Sequence, residues 1–230
     1  MSLPTVLLWT ACSSPWREKP PDLCTIQGLR LRTLSPADLD LPLARLAAGV
    51  KARNDRTAVH VDGVQAWMRV PVRRANIDSY SVRGHKIHAP KGIGALYIKN
   101  GVKLKPFLLG GGQEDGRRAG TEAMPQIAAF AAACREAGEH LQENFDRMAA
   151  LRRLAIDELR RDIPELVVIG GGAPHILSIS LPGWRSEVLM NYLEAREIYV
   201  SKSSACKKGG RSHVLEAIGL TPKVIDGAIR

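Results

Sequence analysis

The sequence predicts an α/β chain in which the later part of a doubly wound, mostly parallel sheet occupies residues 41–124 and a small α+β domain occupies residues 125–230. Three observations carry that expectation. Short apolar runs at Ala58–Asp62, Ser79–Val82 and Ala95–Lys99 alternate with turns marked by Gly, Pro and Asn. Apolar residues then recur at helical spacing from Ile127 through Phe130, Cys134, Leu141, Phe145, Leu151 and Leu154 to Leu159. Beyond that stretch, short extended segments and short helical segments alternate to the end of the chain.

Residues 1–40 show no sustained strand or helical period, and Pro15, Pro20 and Pro21 interrupt them. They are left unassigned, or read as a truncated or misread gene start. The apolar run after Met1 lacks the basic flank of a secretion signal. The run at Ala58–Asp62 is β-branched and reads as a buried strand with Asp62 at its carboxyl end. Pro125 suits the first turn of a helix, and one long helix from there to about Leu159 is expected to link the two domains. In the second domain Glu165–Gly170 and His175–Pro182 read as strands, and Ser186–Arg196 as a helix capped by Ser186 with Glu187 in its first turn. Glu197–Ser201 reads as a further strand, and Arg211–Ile218 as a helix ended by Gly219.

The chemistry concentrates in Ser79–Gly94, where His85 and Lys86 sit in a glycine-flanked turn after a strand. A lysine amine so placed can form a Schiff base with an aldehyde cofactor, and the imidazole beside it can hold a phosphate. In a chain with 33 Lys and Arg residues, a solvated surface lysine is the plain alternative. Asp62 could pair with a protonated pyridine nitrogen and Gln65 could donate to the ring's phenolic oxygen, because open α/β sheets bind ligands at the carboxyl ends of their strands. Taken alone, Asp62 reads first as an ordinary cap of the turn that follows.

Four motifs in order change that balance: His60-Val-Asp-x-x-Gln65, Gly84-His-Lys86, the glycine-rich run from Gly110 to Thr121, and Ser203-Ser-Ala-Cys206. Together they resemble the cysteine desulfurases, pyridoxal-phosphate enzymes of fold type I in the class V aminotransferase group, over about Leu41–Arg230. The resemblance implies a partial type I large domain followed by the small C-terminal domain. It makes Lys86 the Schiff-base lysine, Asp62 the pyridine-nitrogen partner, Gln65 the donor to the phenolic oxygen and His85 a phosphate ligand. It has Thr121 reach the phosphate of a partner subunit's cofactor, and so implies a homodimer. Cys206 becomes the nucleophile that takes sulfur from L-cysteine, leaving L-alanine and a persulfide destined for an acceptor protein that supplies iron–sulfur clusters or thio-cofactors.

The residues depart from the family pattern at two places. Arg83 stands where a small hydroxyl residue binds the phosphate, and its guanidinium could bind phosphate in turn. Ser203 replaces a glycine of the cysteine loop. The family also carries a longer N-terminal part, with another phosphate-anchoring turn and a histidine stacked on the ring, and a C-terminal arginine for the substrate carboxylate whose place Arg230 could take. Two other readings stay open: a sister class V activity, selenocysteine lyase or aminotransferase, that need not use Cys206, and a non-catalytic fragment.

Lys202, Lys207 and Lys208 surround Cys206 in a polar loop and should enlarge its thiolate fraction. Cys134 lies in an alanine-rich helical run and reads as a small buried hydrophobe. Cys12 and Cys24 complete the set without metal-ligand or disulfide spacing, which makes a reducing cytoplasm the default. His60, His85 and His88 fall on a strand and a phosphate-type turn, so no metal is expected. The net charge of +10 invites a nucleic-acid reading, but acidic residues interleave with Arg152, Arg153, Arg160 and Arg161. With 5% aromatic residues there is no stacking platform, and a solvated basic surface open to acidic partners is expected. No membrane-spanning run is present in the sequence.

Overall fold

In the computed structural model the described residues are 6–8, 23–27, 41–72, 76–171, 173–202, 211, 212, 215, 216 and 218–230. The chain divides into two compact units, Met1–Asn144 and Phe145–Arg230.

The first unit is built on a five-stranded sheet of β1 (Val6–Leu8), β2 (Leu23–Gln27), β3 (Ala58–Asp62), β4 (Ser79–Arg83) and β5 (Gly94–Ile98), in the spatial order β1-β5-β4-β3-β2. The pairs β2–β3 and β3–β4 are parallel, while β5 runs antiparallel to both its neighbours. Strands β3, β4 and β5 fall within a residue of the sequence expectation. Strands β1 and β2 arise in the segment read as having no strand period. Runs of three and five residues between prolines are too short to reveal one, and pairing to β5 and β3 supplies what local pattern does not.

Alternation sets the two faces of β3 and β4. Val59, Val61, Tyr80 and Val82 are buried on one side, where Leu43 and Ala47 of helix α1 (Leu41–Arg53) and Phe130 of α2 (Met124–Glu139) join them. His60, Asp62, Ser79 and Ser81 point to the other side and are half-buried. The register aligns this polar row, His60 with Ser79 and Asp62 with Ser81.

At the amino ends of β3 and β4, Asp78 gathers several elements. Its Oδ2 accepts from the Val59 amide at 2.7 Å and from Lys51 Nζ at 2.6 Å. The Asp78 amide donates to Val59 O and its carbonyl accepts from Lys99. Lys51, in the last turn of α1, also donates to Thr57 O at 2.8 Å. Both side chains are largely withdrawn from water, 8% and 24% exposed, so a carboxylate and an ammonium there need each other.

The expected single linking helix is two. Helix α2 ends at Glu139, His140 leaves helical geometry (φ −105°, ψ 12°), and α3 runs from Leu141 to Asp162. The break resets the helical phase, so the apolar stripe counted as continuous does not hold. Phe130 and Phe145 are buried, whereas Leu151 and Leu154 are 56% and 57% exposed. Helix α2 goes with the first unit, which sets the compact boundary within α3 instead of at residue 124.

The second unit packs α3, α4 (Ser186–Glu194) and α5 (Pro222–Asp226) with an antiparallel sheet of β6 (Val167–Ile169), β7 (Ser178–Ser180) and β8 (Ala228–Ile229). Ser180 is fully buried, and its hydroxyl donates to Val224 O at 2.6 Å, so the polar atom is satisfied. Residues 197–200 form no strand. Only Ser201 pairs, exchanging two backbone hydrogen bonds with Arg230. Ser186 is not the cap of α4: Arg185 holds that place, and Ser186 is the buried first helical residue. Arg152 is no solvated charge, since its guanidinium lies half-buried against the carbonyls of Ile176 and Gly170. Leu215 and Glu216 are helical, and Gly219 (φ 77°) ends their turn as expected.

Replacing Asp78 should be the costliest single polar change in the first unit. Asp78→Ala is expected to lower its stability by about 3 kcal/mol, because the Lys51 ammonium and the Val59 amide lose their acceptor together. Lys51→Met should cost less, since Asp78 keeps the amide. Denaturant midpoints of the two variants would show that order.

Candidate functional site

Two turns meet at the carboxyl edge of the first sheet. Parallel pairing of β3 and β4 ends both strands on the same side, and the Gly63 amide donates to Ser81 O at 2.9 Å, which fixes the turn after Asp62 against β4. Ala66 and Trp67 donate back to Gly63 O, and the chain winds on through Arg69. After β4 a single 3-10 turn, Gly84–Ile87, carries His85 and Lys86.

The Lys86 turn is seated by its neighbours. Ile87 is buried, Gly84 donates to Ile93 O, and the amides of His88 and Ala89 donate to Gly84 O. A Cβ at Gly84 would come within 2.7 Å of Ile93 and 3.1 Å of Phe130, so only glycine lets the turn lie this close to α2. His88 adopts a left-handed conformation (φ 68°) and reverses the chain toward β5.

Asp62 is half-buried, and its Oδ1 accepts from the Val64 amide at 3.1 Å, the turn-capping role foreseen as the plain alternative. Among the described residues its other oxygen has no hydrogen bond, and that oxygen is open to a cationic donor. Gln65 is exposed three residues on. The turn presses on the sheet from above: a Cβ at Gly63 would fall about 2 Å from the Tyr80 ring. Tyr80 is 4% exposed with no partner for its hydroxyl, and burial, then the charge of Asp62, pushes its ionisation far up. Trp67 leans on it, ring centroids 6.1 Å apart.

His85 is exposed, and its pKa is lowered, first by partial desolvation and then by the cations of Lys86, Arg83 and Lys91. Arg83 is exposed at the end of β4 in extended geometry (φ −133°, ψ 132°). His60 on the polar row lies 2.8 Å from Ser79 Oγ through Nδ1. Its pKa is lowered by burial, in part offset by Asp62.

Other expected residues stand elsewhere. Thr121 is exposed on a different segment, at a small pocket shared with Ile93, Glu114, Arg118, Gly120 and Ile127. Glu114 and Asp115, both with positive φ, shape the loop that leads to it, and Gln113 Oε1 accepts from the Gly120 amide. Cys206, Ser203, Lys207, Lys208 and Cys12 lie outside the described residues. Lys202, a sequence neighbour of the cysteine loop, has its ammonium paired with Glu187 Oε1 at 2.6 Å. Cys134 is half-buried against the core, and burial raises its pKa. Sequence reasoning missed Arg69, whose Nη2 donates to the Lys86 carbonyl at 2.6 Å. An arginine inside the turn that Asp62 begins was the available signal.

The model of the family described as Aminotransferase class-V matches residues 41–222. The chain belongs to that family. Among curated class-V relatives, "Cysteine desulfurase 2" of Trichormus variabilis is 40% identical over 189 residues, 79% of this chain and 47% of that protein. The cysteine desulfurase of Gluconacetobacter diazotrophicus is 38% identical over 196 residues, 82% of this chain and 48% of its own. A solved structure titled "NIFS-LIKE PROTEIN" superposes with a TM-score of 0.76 at 34% identity, covering 90% of this chain and 54% of that one. The fold is that of type I pyridoxal-phosphate enzymes. The chain spans about half the length of the curated relatives it matches.

Two measurements probe this edge. Tyr80→Phe removes a buried hydroxyl without a partner and should raise stability by about 1 kcal/mol, whereas Gly63→Ala drives a methyl into the same ring and should cost about 2 kcal/mol. For His60, the folded pKa lies below the unfolded one, so the unfolded chain takes up the proton first. Its contribution is present above about pH 6.5 and is lost as pH falls from there through the folded pKa. The stability difference between pH 7 and pH 5 should therefore be smaller in His60→Gln than in the wild type.

Proposed function

We propose that this chain carries the lysine- and cysteine-bearing part of a pyridoxal-phosphate-dependent cysteine desulfurase. The observation that supports it most is the placement of Lys86 and Asp62 on adjacent turns at the carboxyl edge of β4 and β3, in a class-V chain whose relatives bear that name. The residues fit the cofactor. Asp62 offers one open carboxylate oxygen, Gln65 an exposed amide, and His85 lies amid three cations where a phosphate dianion would be favoured. When bound, pyridoxal phosphate supplies an electron sink for the carbon from which a proton is removed.

The chain's own residues have separate tasks. Asp62 would hold a proton at the ring nitrogen, and Gln65 would donate to the phenolic oxygen. His85 and Arg83 bind phosphate, and Thr121 does so for the partner subunit. Lys86 Nζ would hold the cofactor's aldehyde carbon and, once freed by the amine of L-cysteine, would take up the Cα proton. Cys206 attacks the substrate sulfur as a thiolate. The S–S bond forms as the C–S bond breaks, and reprotonation yields L-alanine. The persulfide passes to an acceptor that serves iron–sulfur or thio-cofactor assembly in the cytoplasm. The exposed apolar side chains of Leu104, Phe107, Leu108, Leu109 and Met124, flanking the segment that carries Thr121, support a homodimer. Among the described residues no helix is long and apolar enough to cross a membrane.

The protein mixed with pyridoxal phosphate and freed of excess should keep a visible absorption band that Lys86→Ala lacks. Alanine release from cysteine should then vanish in Cys206→Ser. A band in neither protein would mean that the motifs stand here without an assembled cofactor site. Alanine release unchanged in Cys206→Ser would assign the chain to a class-V reaction that does not use this thiol.

A further inference from the structure

We infer that Arg69 is a positioning residue for Lys86, locking the lysine's turn to the turn that carries Asp62 and Gln65. The inference rests on the reading of Lys86 as the cofactor-anchoring lysine.

Arg69 Nη2 donates to the Lys86 carbonyl oxygen at 2.6 Å, and the arginine is half-buried. A guanidinium withdrawn from water ordinarily finds a carboxylate. Here its partner is a main-chain carbonyl, and it belongs to the one lysine that the site needs. The backbone before it is strained to make that reach. Met68 adopts φ 54°, a left-handed conformation unfavourable for a side chain of its size, and such strain persists only where the surroundings over-determine it. Both ends of the link are anchored: Arg69 N donates to Ala66 O, Ala66 N donates to Gly63 O, and Gly63 N donates to Ser81 O at the end of β4.

Fixing the Lys86 carbonyl fixes the peptide plane from which the lysine side chain departs. The buried Gly84 and Ile87 seat the two ends of this four-residue 3-10 turn, whose own hydrogen-bond geometry is poorer than that of an α-helix, and Arg69 adds a hold at the Lys86 carbonyl between them. Arg69 thus joins the group that holds the ring nitrogen's proton to the group that anchors the aldehyde carbon, and keeps their separation constant. It touches neither cofactor nor substrate in this role.

The test compares wild type, Arg69→Ala, Arg69→Lys and Lys86→Ala. The first readout is amide hydrogen exchange over Gly84–Ala89 in the protein without added cofactor. The second is the initial rate at which pyridoxal phosphate is trapped on Lys86 by borohydride, located by peptide mass. Arg69→Ala should speed exchange over Gly84–Ala89 by about tenfold, the weight of one charge-assisted hydrogen bond, with β3 and β5 unchanged. Trapping should slow by a similar factor, and Arg69→Lys, which can still reach a carbonyl, should restore part of both.

Wild-type exchange in Gly84–Ala89 of Arg69→Ala would overturn the inference, as would acceleration spread equally over β3 and β5. If wild type itself takes no label at Lys86, the reading of that lysine fails, and exchange alone still decides whether Arg69 holds the turn. Should Arg69→Ala not fold, Arg69→Gln, which keeps an amide donor, takes its place with the same criteria.

Discussion

The first unit depends on the Asp78 carboxylate. It sits at the amino ends of two parallel strands, where backbone groups would otherwise have no common partner, and it accepts from β3, from α1 and through its main chain from the end of β5. A buried ion pair is poor as a net source of stability, because desolvation consumes most of the Coulomb gain. Its value is positional: with the Val59 amide and the Lys51 ammonium both directed at one oxygen, β3 and β4 have a single low-energy alignment.

That alignment produces the site. Side chains alternate along a strand, so fixing Val59 in the core places Val61 there too and puts His60 and Asp62 on the polar row. Ser79 and Ser81 follow on β4. The carboxyl ends then fall side by side, and the turns that leave them carry Asp62 and Gln65 on one side and Arg83, His85 and Lys86 on the other. Residues distant in sequence are neighbours because two strands were registered at their far end.

What could be read from the sequence follows from the range of the interactions. Strands β3, β4 and β5 were legible because β-branched runs and turn residues act over a few positions, and the Lys86 and Asp62 motifs because each is compact. Strands β1 and β2 were not, since three and five residues carry no period and only pairing defines them. The break at His140 was missed because apolar spacing continues across it, and nothing in the composition there forbids a helix. Arg152, Lys202 and Arg69 were misread or overlooked for one reason. Each cation takes a partner far along the chain, Ile176, Glu187 and Lys86, and charge counts treat it as solvated.

The two edges of the sheet differ in how well local rules are obeyed. At the amino edge the Asp78 carboxylate, the Val59 amide and the Lys51 ammonium are paired, and the positive φ nearby falls on Asn76, a residue type that tolerates it. At the carboxyl edge Met68 and His88 hold positive φ, the Tyr80 hydroxyl is buried without a partner, and Gly63, Gly84 and Gly94 stand where no Cβ fits. Each of these costs stability, by about 1–3 kcal/mol for a strained residue or an unsatisfied buried group. A one-residue slip of β3 would relieve the contact between Gly63 and Tyr80, but it would turn Asp62 into the core and Val61 onto the polar row. The Asp78 network opposes that slip by holding Val59 in place. The ion pair at one end of the strands is therefore what permits a crowded, strained and chemically useful arrangement at the other.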